Sequence, residues 1–479
     1  MRGGWSRVQT PVAERDPFGG RGYTGYVKHV LVLGAGQSAP FLIEQLLRDA
    51  EKHDWFVTVA DRDLELARRR LDEHPRGNAI AIDATELSLL AAEVKKAHVV
   101  VNFLSPRFQH AVARTCVEHG KHMVSASYRD QRIREMDREA RRQGSLIVNE
   151  VGLDPGIDHM SAMRMIHDVK ARGHRVLKFA SYGGGLPAPE SADNPLRYAI
   201  TWNPRNVVMG GEGGAQYLID GKIKIVPYHE VFHRSWRFEV PDVGLFEAYP
   251  NRDSISYRAL YGLEDTDTML RATVRYPGWS ETWCQIVRLG LPNEDLRIPN
   301  LAARTWAELV EMFIPRDIAG IHLEQRIATY LGISPTGTII QNMRWLGLFD
   351  TSPTGAAGET MADALVHLLR SKLVLPPNGR DLVILAHEMI TEDGSGERER
   401  VVSVMSRFGE PGGFTAMAET VGLPAAITVK LILTDELPLS GSYIPTHPAL
   451  YGPILSELEA AGIRFTEKTN VVPEGSPLS

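Results

Sequence analysis

Cysteine is almost missing from this 479-residue chain: only Cys116 and Cys284 occur. So small a set excludes a disulfide framework and suits a reducing cytosol, so a cytoplasmic protein is expected. No apolar run approaches the roughly 18–20 residues that cross a bilayer, so no membrane span is expected. Neither sign of charge dominates. The 53 basic and 59 acidic residues leave −6, which offers no basic stripe to nucleic acid or an anionic membrane. The first 27 residues, MRGGWSRVQTPVAERDPFGGRGYTGYV, hold Gly and Arg but no apolar h-region, so they are no secretory signal. They read as a flexible tail. A mitochondrial presequence is the minor alternative, and Glu14 and Asp16 argue against it. Repeats and low-complexity tracts are missing too.

What remains is an ordinary globular composition, 43% apolar and 23% charged, in a chain too long for one core, so two or three domains are expected. From Lys28 the pattern alternates: HVLVLG, then PFLIEQLLRDAEKH; FVTVAD, then DLELARRRLDEH; AIAID, VVVNFL, HMVSAS and SLIVNE with helical stretches between. Short β-branched runs alternating with longer helical ones indicate βαβ units and a doubly wound parallel sheet, a Rossmann-type α/β domain over residues 28–155. Residues 156–300 and 376–440 read as a second α/β unit on a mixed or antiparallel sheet, with period-two segments KIKIVPY, SWRFEV and TMLRATVRY. Residues 301–375 are helical throughout. Helices at about 440–470 are placed to pack back on the first domain.

VLVLGAGQSAPF carries Gly34-Ala35-Gly36-Gln37-Ser38-Ala39 between a strand and a helix. Gly34 permits the tight turn, Gly36 lets backbone approach a pyrophosphate, and the small Ala39 lets helix and strand pack closely. The helix N-terminus would hold the diphosphate. The next strand ends in Asp61, whose carboxylate suits a ribose 2′-hydroxyl and favours NAD; Arg62 beside it could bind a 2′-phosphate, which leaves NADP possible. The bland alternative is a glycine turn in a non-binding domain. Asp83 follows the third strand, either at the adenine end or as a plain surface acid. Leu104 with Ser105, and Ala126 with Ser127, end the fourth and fifth strands and face the nicotinamide half.

His229-Glu230-x-x-His233 in PYHEVFHRSW has the spacing of a zinc-protease helix. Its flanks alternate like strands and Pro227 precedes it, so no metal site is expected; the two His fall on a common strand face.

NEVGLDPGIDHMSAM, residues 149–163, sets three carboxylates, two glycines and a proline into a strand-to-helix junction. Together with ASYGGGLPAPESADNPLRYAITWNPRNV, EAYPNRDSISY, LRATVRYPGW and the late GFTAMAETVGLPAAI, it resembles the L-glutamate-forming saccharopine dehydrogenases, or saccharopine reductases, over roughly residues 28–465. The resemblance implies a Rossmann domain, a mixed α/β domain for substrate binding and dimerisation with an inserted helical domain, and a homodimer. It implies oxidation of L-saccharopine with NAD or NADP to L-glutamate and 2-aminoadipate 6-semialdehyde. It implies dinucleotide contacts at Ala35 to Ser38, Asp61, Arg62, Asp83, Ala84, Ser127, Leu153, Asp154, Pro155 and Asn203. Substrate contacts are implied at Ser127, Tyr128, Asp154, Arg252, Thr273, Val274 and Arg275. The family commonly shows SYCGGLPAP where this chain has Gly183. No lysine–ketoglutarate reductase module precedes residue 28, so at most the second enzyme of that pathway is expected.

These residue types suit a tricarboxylate amino acid. Arg252 and Arg275 can fork onto carboxylates. Gly152 and Gly156 would let backbone approach the nicotinamide, Pro155 would stiffen the turn, and Asp154 would hold or accept the amine's proton. Asp158 is expected to cap the helix beginning near His159, and His159 to be structural. The alternatives are a reductase or synthase on another carboxyalkylated amine, such as carboxynorspermidine, and a non-catalytic dinucleotide-binding regulator.

Overall fold

The computed structural model describes residues 27–478, so the expected tail lies outside the described residues except for Val27. Six parallel strands come first: β1 (Lys28–Leu33), β2 (Trp55–Asp61), β3 (Gly77–Ala81), β4 (Val99–Asn102), β5 (His122–Val124) and β6 (Leu146–Val148). Then follow β7 (Arg175–Pro187), β8 (Ala215–Ile219), β9 (Lys222–Val226), β10 (Trp236–Val240), β11 (Gly244–Pro250), β12 (Arg252–Asp253), β13 (Thr268–Arg275), β14 (Asp381–Glu392), β15 (Arg398–Phe408), β16 (Gly441–Tyr443) and β17 (Thr466–Val471).

The first sheet runs β16-β6-β5-β4-β1-β2-β3, all parallel. Its chain order reverses between β1 and β4, which is where ligands sit in open α/β sheets. The apolar strands β1 and β4 are covered on both faces, as helices on either side require. The second sheet has ten strands, with β10-β11-β13-β7-β14-β15-β17 as its main path. Only β7–β13 and the short β8–β12 pair are parallel in it. The Rossmann-type sheet plus mixed sheet expected from the sequence is therefore observed.

Two boundaries shift. β16, just past residue 440, joins the first sheet, and β17 returns the chain to the second, so the α/β unit also takes a strand from 466–471. The helix Ala416–Leu433, placed by sequence in the second unit, shares its apolar core with the Rossmann helix Pro40–His53. Its 18 residues are long and apolar enough to cross a membrane, which the count of uninterrupted apolar runs missed because Glu419 and Lys430 interrupt it; 83% of it is buried inside the protein. Its N-terminus is fixed by the buried Asp381 at the head of β14, whose carboxylate accepts the Ala416 and Met417 N–H groups at 2.6 and 2.9 Å. The helices of 301–375 do not close a separate core. Trp306, Leu309, Met343 and Leu365 pack in one cluster with Tyr182, Leu270 and Val274 on the outer face of the mixed sheet. The inner face of that sheet meets the carboxyl ends of the first.

Candidate active site

The dinucleotide end is built from β1 onward. Gly34 has φ +100°, and a Cβ there would press on the Phe103 carbonyl at 3.1 Å, so only glycine fits. Gly36 faces open space, with nothing within 4 Å of a built Cβ. That space is what a pyrophosphate needs. The helix Pro40–His53 has no side-chain cap, which leaves its first N–H groups for an anion. Gln37 is exposed, Ser38 half-buried and Ala39 buried. Asp61 is tied to the turn: Oδ2 accepts the Ala35 N–H at 2.8 Å and Oδ1 the Asp63 N–H at 2.9 Å. Arg62 is exposed beside it. The Thr85 hydroxyl and N–H hold the Asp83 carboxyl below the usual range, with Arg62 adding to the effect. Ala84 is buried.

A buried amide network sets the ends of β4 and β5. Asn102 Nδ2 donates to Gln109 Oε1 at 3.1 Å, Gln109 Nε2 to the Leu104 carbonyl at 3.0 Å, and Ser125 Oγ lies 2.8 Å from Gln109 Oε1. Leu104, Ala126 and Ser127 are left half-buried at the rim, with Ser105 exposed. Asn203 is exposed and starts the helix Pro204–Val208, where its Oδ1 accepts the Arg205 N–H at 3.0 Å.

Beyond β6 the chain turns back at the acidic elbow. From Ser145 to Met163 every residue is buried except Asp154. Leu153 and Pro155 flank it, the Asp154–Pro155 peptide being cis. The two glycines serve the elbow itself. A Cβ on Gly156 would overlap the Gly152 backbone, and one on Gly152 would meet Ala126 Cβ at 2.9 Å. Close approach of the chain to itself therefore already requires glycine at both places, beside the expected approach to the nicotinamide. Asp158 does not precede its helix, which already begins at Ile157. Its Oδ1 accepts the Gly156 N–H at 2.6 Å, while Oδ2 turns inward.

What Asp154 and Asp158 meet is Arg271 of β13. Its Nη2 donates to Asp154 Oδ1 at 2.6 Å and to Asp158 Oδ2 at 3.0 Å, and its guanidinium lies 4.4 Å from the centre of the Tyr257 ring. Arg271 is 3% exposed, so this is a buried pair of carboxylates sharing one cation. Burial and the adjacent Asp158 push the Asp154 carboxyl up to about 6, against the pull of Arg271. Burial works the same way on Asp158, but the His159 and Arg271 charges and the Gly156 N–H outweigh it and hold that carboxyl low. His159, fully buried, stands 2.7 Å from Glu150 Oε2 and 2.5 Å from the Tyr261 hydroxyl. Its burial disfavours the cation, yet Asp158 and Glu150 raise its proton affinity. His387 of β14, 2.7 Å from Ser161 Oγ, is instead pushed down to about 4 by burial.

The mixed sheet supplies the opposite wall. Period two puts Arg271, Thr273 and Arg275 on its inner face. Thr273 pairs with Gly183 of β7 and with Tyr249 of β11. Val274 points its side chain the other way, 0% exposed in the outer core, so what it can offer the inner side is its backbone. Arg275 is 5% exposed and lies over the rings of Tyr198, Tyr249 and Trp279. Nη1 donates to the Val274 carbonyl at 2.8 Å, while Nε has no partner. Arg252 is exposed and spans the cleft from β12, 5.6 Å from the centre of the Tyr128 ring on the Rossmann side. The structure thus groups Tyr128, Arg252 and Arg271 around Asp154, with Thr273 one strand over beside Gly183 and Ser127 next to Tyr128, while Arg275 lies among the rings of Tyr198, Tyr249 and Trp279.

His229 and His233 are both exposed on a short 3₁₀ turn and the turn after it, so neither the helix of a zinc site nor the expected strand face forms there. Among the described residues no group of three or more His, Cys, Asp or Glu could hold a metal.

Sequence reasoning passed over Arg271, Glu150 and His387. Arg271 had a signal, since LRATVRY puts it two steps from Thr273 on the face of Arg275. Glu150 lies within the acidic elbow already singled out. Its left-handed backbone, φ 62°, and its contact with His159 are visible only in three dimensions.

Comparisons with known proteins point to one family. A family profile described as the saccharopine dehydrogenase C-terminal domain matches residues 152–463, and one described as the saccharopine dehydrogenase NADP binding domain matches residues 30–148. A saccharopine dehydrogenase [NADP(+), L-glutamate-forming] from Pyricularia oryzae is 32% identical over 92% of this chain and 99% of its own. The Saccharomyces cerevisiae protein of the same name is 33% identical, again over 92% and 99%. Bovine mitochondrial alpha-aminoadipic semialdehyde synthase is 32% identical over 93% of this chain, which spans 48% of that longer relative. The solved apo saccharopine dehydrogenase (L-Glu forming) of Saccharomyces cerevisiae superposes with a TM-score of 0.81 at 31% identity, over 92% of this chain and 100% of that one.

Proposed function

The chain belongs to the L-glutamate-forming saccharopine dehydrogenase family, and from that premise we propose that it oxidises L-saccharopine with a nicotinamide dinucleotide, releasing L-glutamate and 2-aminoadipate 6-semialdehyde. The observation that carries this reading is Asp154, the one part-exposed residue of a buried elbow, set between the carboxyl ends of the Rossmann strands and Arg271 of the mixed sheet. The turn at Gly34–Ser38, the uncapped helix behind it and Asp61 would hold the dinucleotide, which when bound supplies the hydride acceptor.

The protein's own part is to bind, orient and move protons. Arg275, buried with an unpartnered Nε, and Arg252, at the cleft mouth, anchor carboxylates of the substrate. Asp154 takes the proton of the secondary ammonium, so that hydride leaves from the carbon beside a neutral amine; once it has released that proton to solvent, it takes another from the water that adds to the iminium carbon. Arg271 compensates Asp158 so that only one carboxylate of the pair exchanges protons readily. Ser127 and Tyr128 close the Rossmann side.

For the cofactor, Asp61 favours NAD, because its charge opposes a 2′-phosphate at the ribose. The relatives' printed preference for NADP(+) and the exposed Arg62 support the second reading. Steady-state assays at 340 nm with L-saccharopine, and separately with carboxynorspermidine, each with NAD and NADP, test the proposal. Turnover of saccharopine is expected. Bound dinucleotide without turnover of either amine would favour a regulator, and turnover of carboxynorspermidine alone would reassign the substrate.

A further inference from the structure

We propose that Gly183 and Arg271 form a seat for the Asp154 carboxylate: the missing side chain at 183 lets the carboxylate lie down on the mixed sheet, and Arg271 holds it there. Gly183 sits in β7 between two neighbours, paired with Thr273 of β13 and Leu385 of β14. A Cβ built on it would overlap Asp154 Oδ2 and stand 3.3 Å from Asp154 Cγ and from Leu385 Cδ2. β7 is clamped by ladders on both edges, so the only party free to move is the end of the Asp154 side chain. That end is pinned by its other oxygen, Oδ1, at 2.6 Å from Arg271 Nη2. Arg271 cannot follow a displaced carboxylate, because it is stacked on Tyr257 and its Nη2 is shared with Asp158. Any side chain at 183 therefore turns the Asp154 carboxylate off the guanidinium and out into the cleft. Arg271 acts through Asp154 and is a positioning residue, as is Gly183.

The groups facing Asp154 fix the consequence. Asp158 and His159 face it from its own elbow, Arg271 and Arg252 from the mixed sheet, and Tyr128 from the Rossmann side. Seated, the carboxylate is largely shielded from water and close to Asp158, and both raise its proton affinity; turned out, it loses both and gains access to solvent. Loss of the Arg271 bond alone, with the carboxylate still seated, acts in the opposite direction.

The inference rests on the reading of Asp154 as the proton-exchanging group, but its test does not need turnover. The full chain, labelled with ¹³C-carboxyl aspartate, is titrated by NMR, and the Asp154 resonance is assigned by its loss in Asp154→Asn. In Gly183→Ala that resonance should titrate about one pH unit lower than in the wild type. In Arg271→Gln, which removes the cation that opposes the proton, it should titrate higher. The acid limb of kcat/KM should follow each shift. Either variant titrating together with the wild type overturns the seat. Titrations that move as expected in a protein that leaves saccharopine unoxidised would keep the seat and remove the catalytic reading instead.

Discussion

At Asp154 three influences compete: burial and Asp158 favour the proton, Arg271 opposes it, and the result is a carboxyl near 6. Such a group is largely ionised at neutral pH yet basic enough to take a proton from an amine or from water, which is the compromise general-base catalysis requires. The acid limb of kcat/KM for saccharopine oxidation is therefore expected near pH 6. Asp154→Asn should lower kcat about 10²–10⁴-fold and erase that limb. A pH–rate profile of both proteins decides it; a limb that persists in the variant belongs to another group. Asp154 was legible in the sequence because a proline and two glycines mark a turn that only a special backbone needs, and a carboxylate inside such a turn is seldom idle. Arg271 was not, although it shares a face with Arg275. Alternation tells which residues look the same way, but not that Asp158, more than a hundred positions earlier, lies within hydrogen-bond reach. The glycines were legible only in part for the same reason: a sequence shows that a Cβ is absent, and the structure adds that the chain itself crowds the place where it would be.

Between elements, the contact that matters most for the dinucleotide lies behind the glycine turn. The helix Pro40–His53, whose N-terminus faces the expected pyrophosphate, crosses the helix Ala416–Leu433 at Gly422, where a Cβ would come within 2.7 Å of the Leu42 N atom. Backbone, not a flexible side chain, stands in the way, so Gly422→Val must part the two helices. Overpacking of this kind costs about 1–3 kcal/mol. The first helix should tilt and carry its amides away from the turn, so the variant should melt earlier and bind NAD(P)H more weakly. Thermal unfolding with and without dinucleotide, beside a fluorescence titration, separates the two effects. Loss of stability with an unchanged Kd would show that the crossing supports the fold without setting the turn. The sequence placed both helices correctly and could not place them together. Their pairing joins residues nearly four hundred positions apart, and the Gly at 422 reads in sequence as a weak point in a helix rather than as a crossing. The strands β16 and β17 were unreadable for a related reason: three and six residues long and polar in part, they are strands because a neighbour offers an edge.

For the whole molecule, the buried charges at the junction of the two sheets set an unusual dependence of stability on pH. Between about 4 and 6 the folded protein holds a proton on Asp154 that the unfolded chain, with an ordinary carboxyl, has released. That contribution is complete at low pH and is lost as pH rises through 6. His387 does the reverse: folded, it is neutral down to about 4, while the unfolded imidazole takes a proton below 6.5, so its contribution is lost as pH falls through the same window. The two shifts have opposite slopes, so in the wild type they oppose each other between pH 4 and 6.5. Each substitution should uncover the other group. Relative to wild type, Asp154→Asn should become more stable as pH rises from 4.5 to 6.5, and His387→Gln should become less stable over the same range. Urea midpoints at several pH values for the three proteins measure the differences directly, and titrations elsewhere in the chain drop out of the comparison. Parallel pH profiles for wild type and Asp154→Asn would mean that the elbow carboxyl titrates alike in the folded and unfolded chains. The buried setting of Asp154 would then have no energetic consequence, and its fitness as a base at neutral pH would need another source.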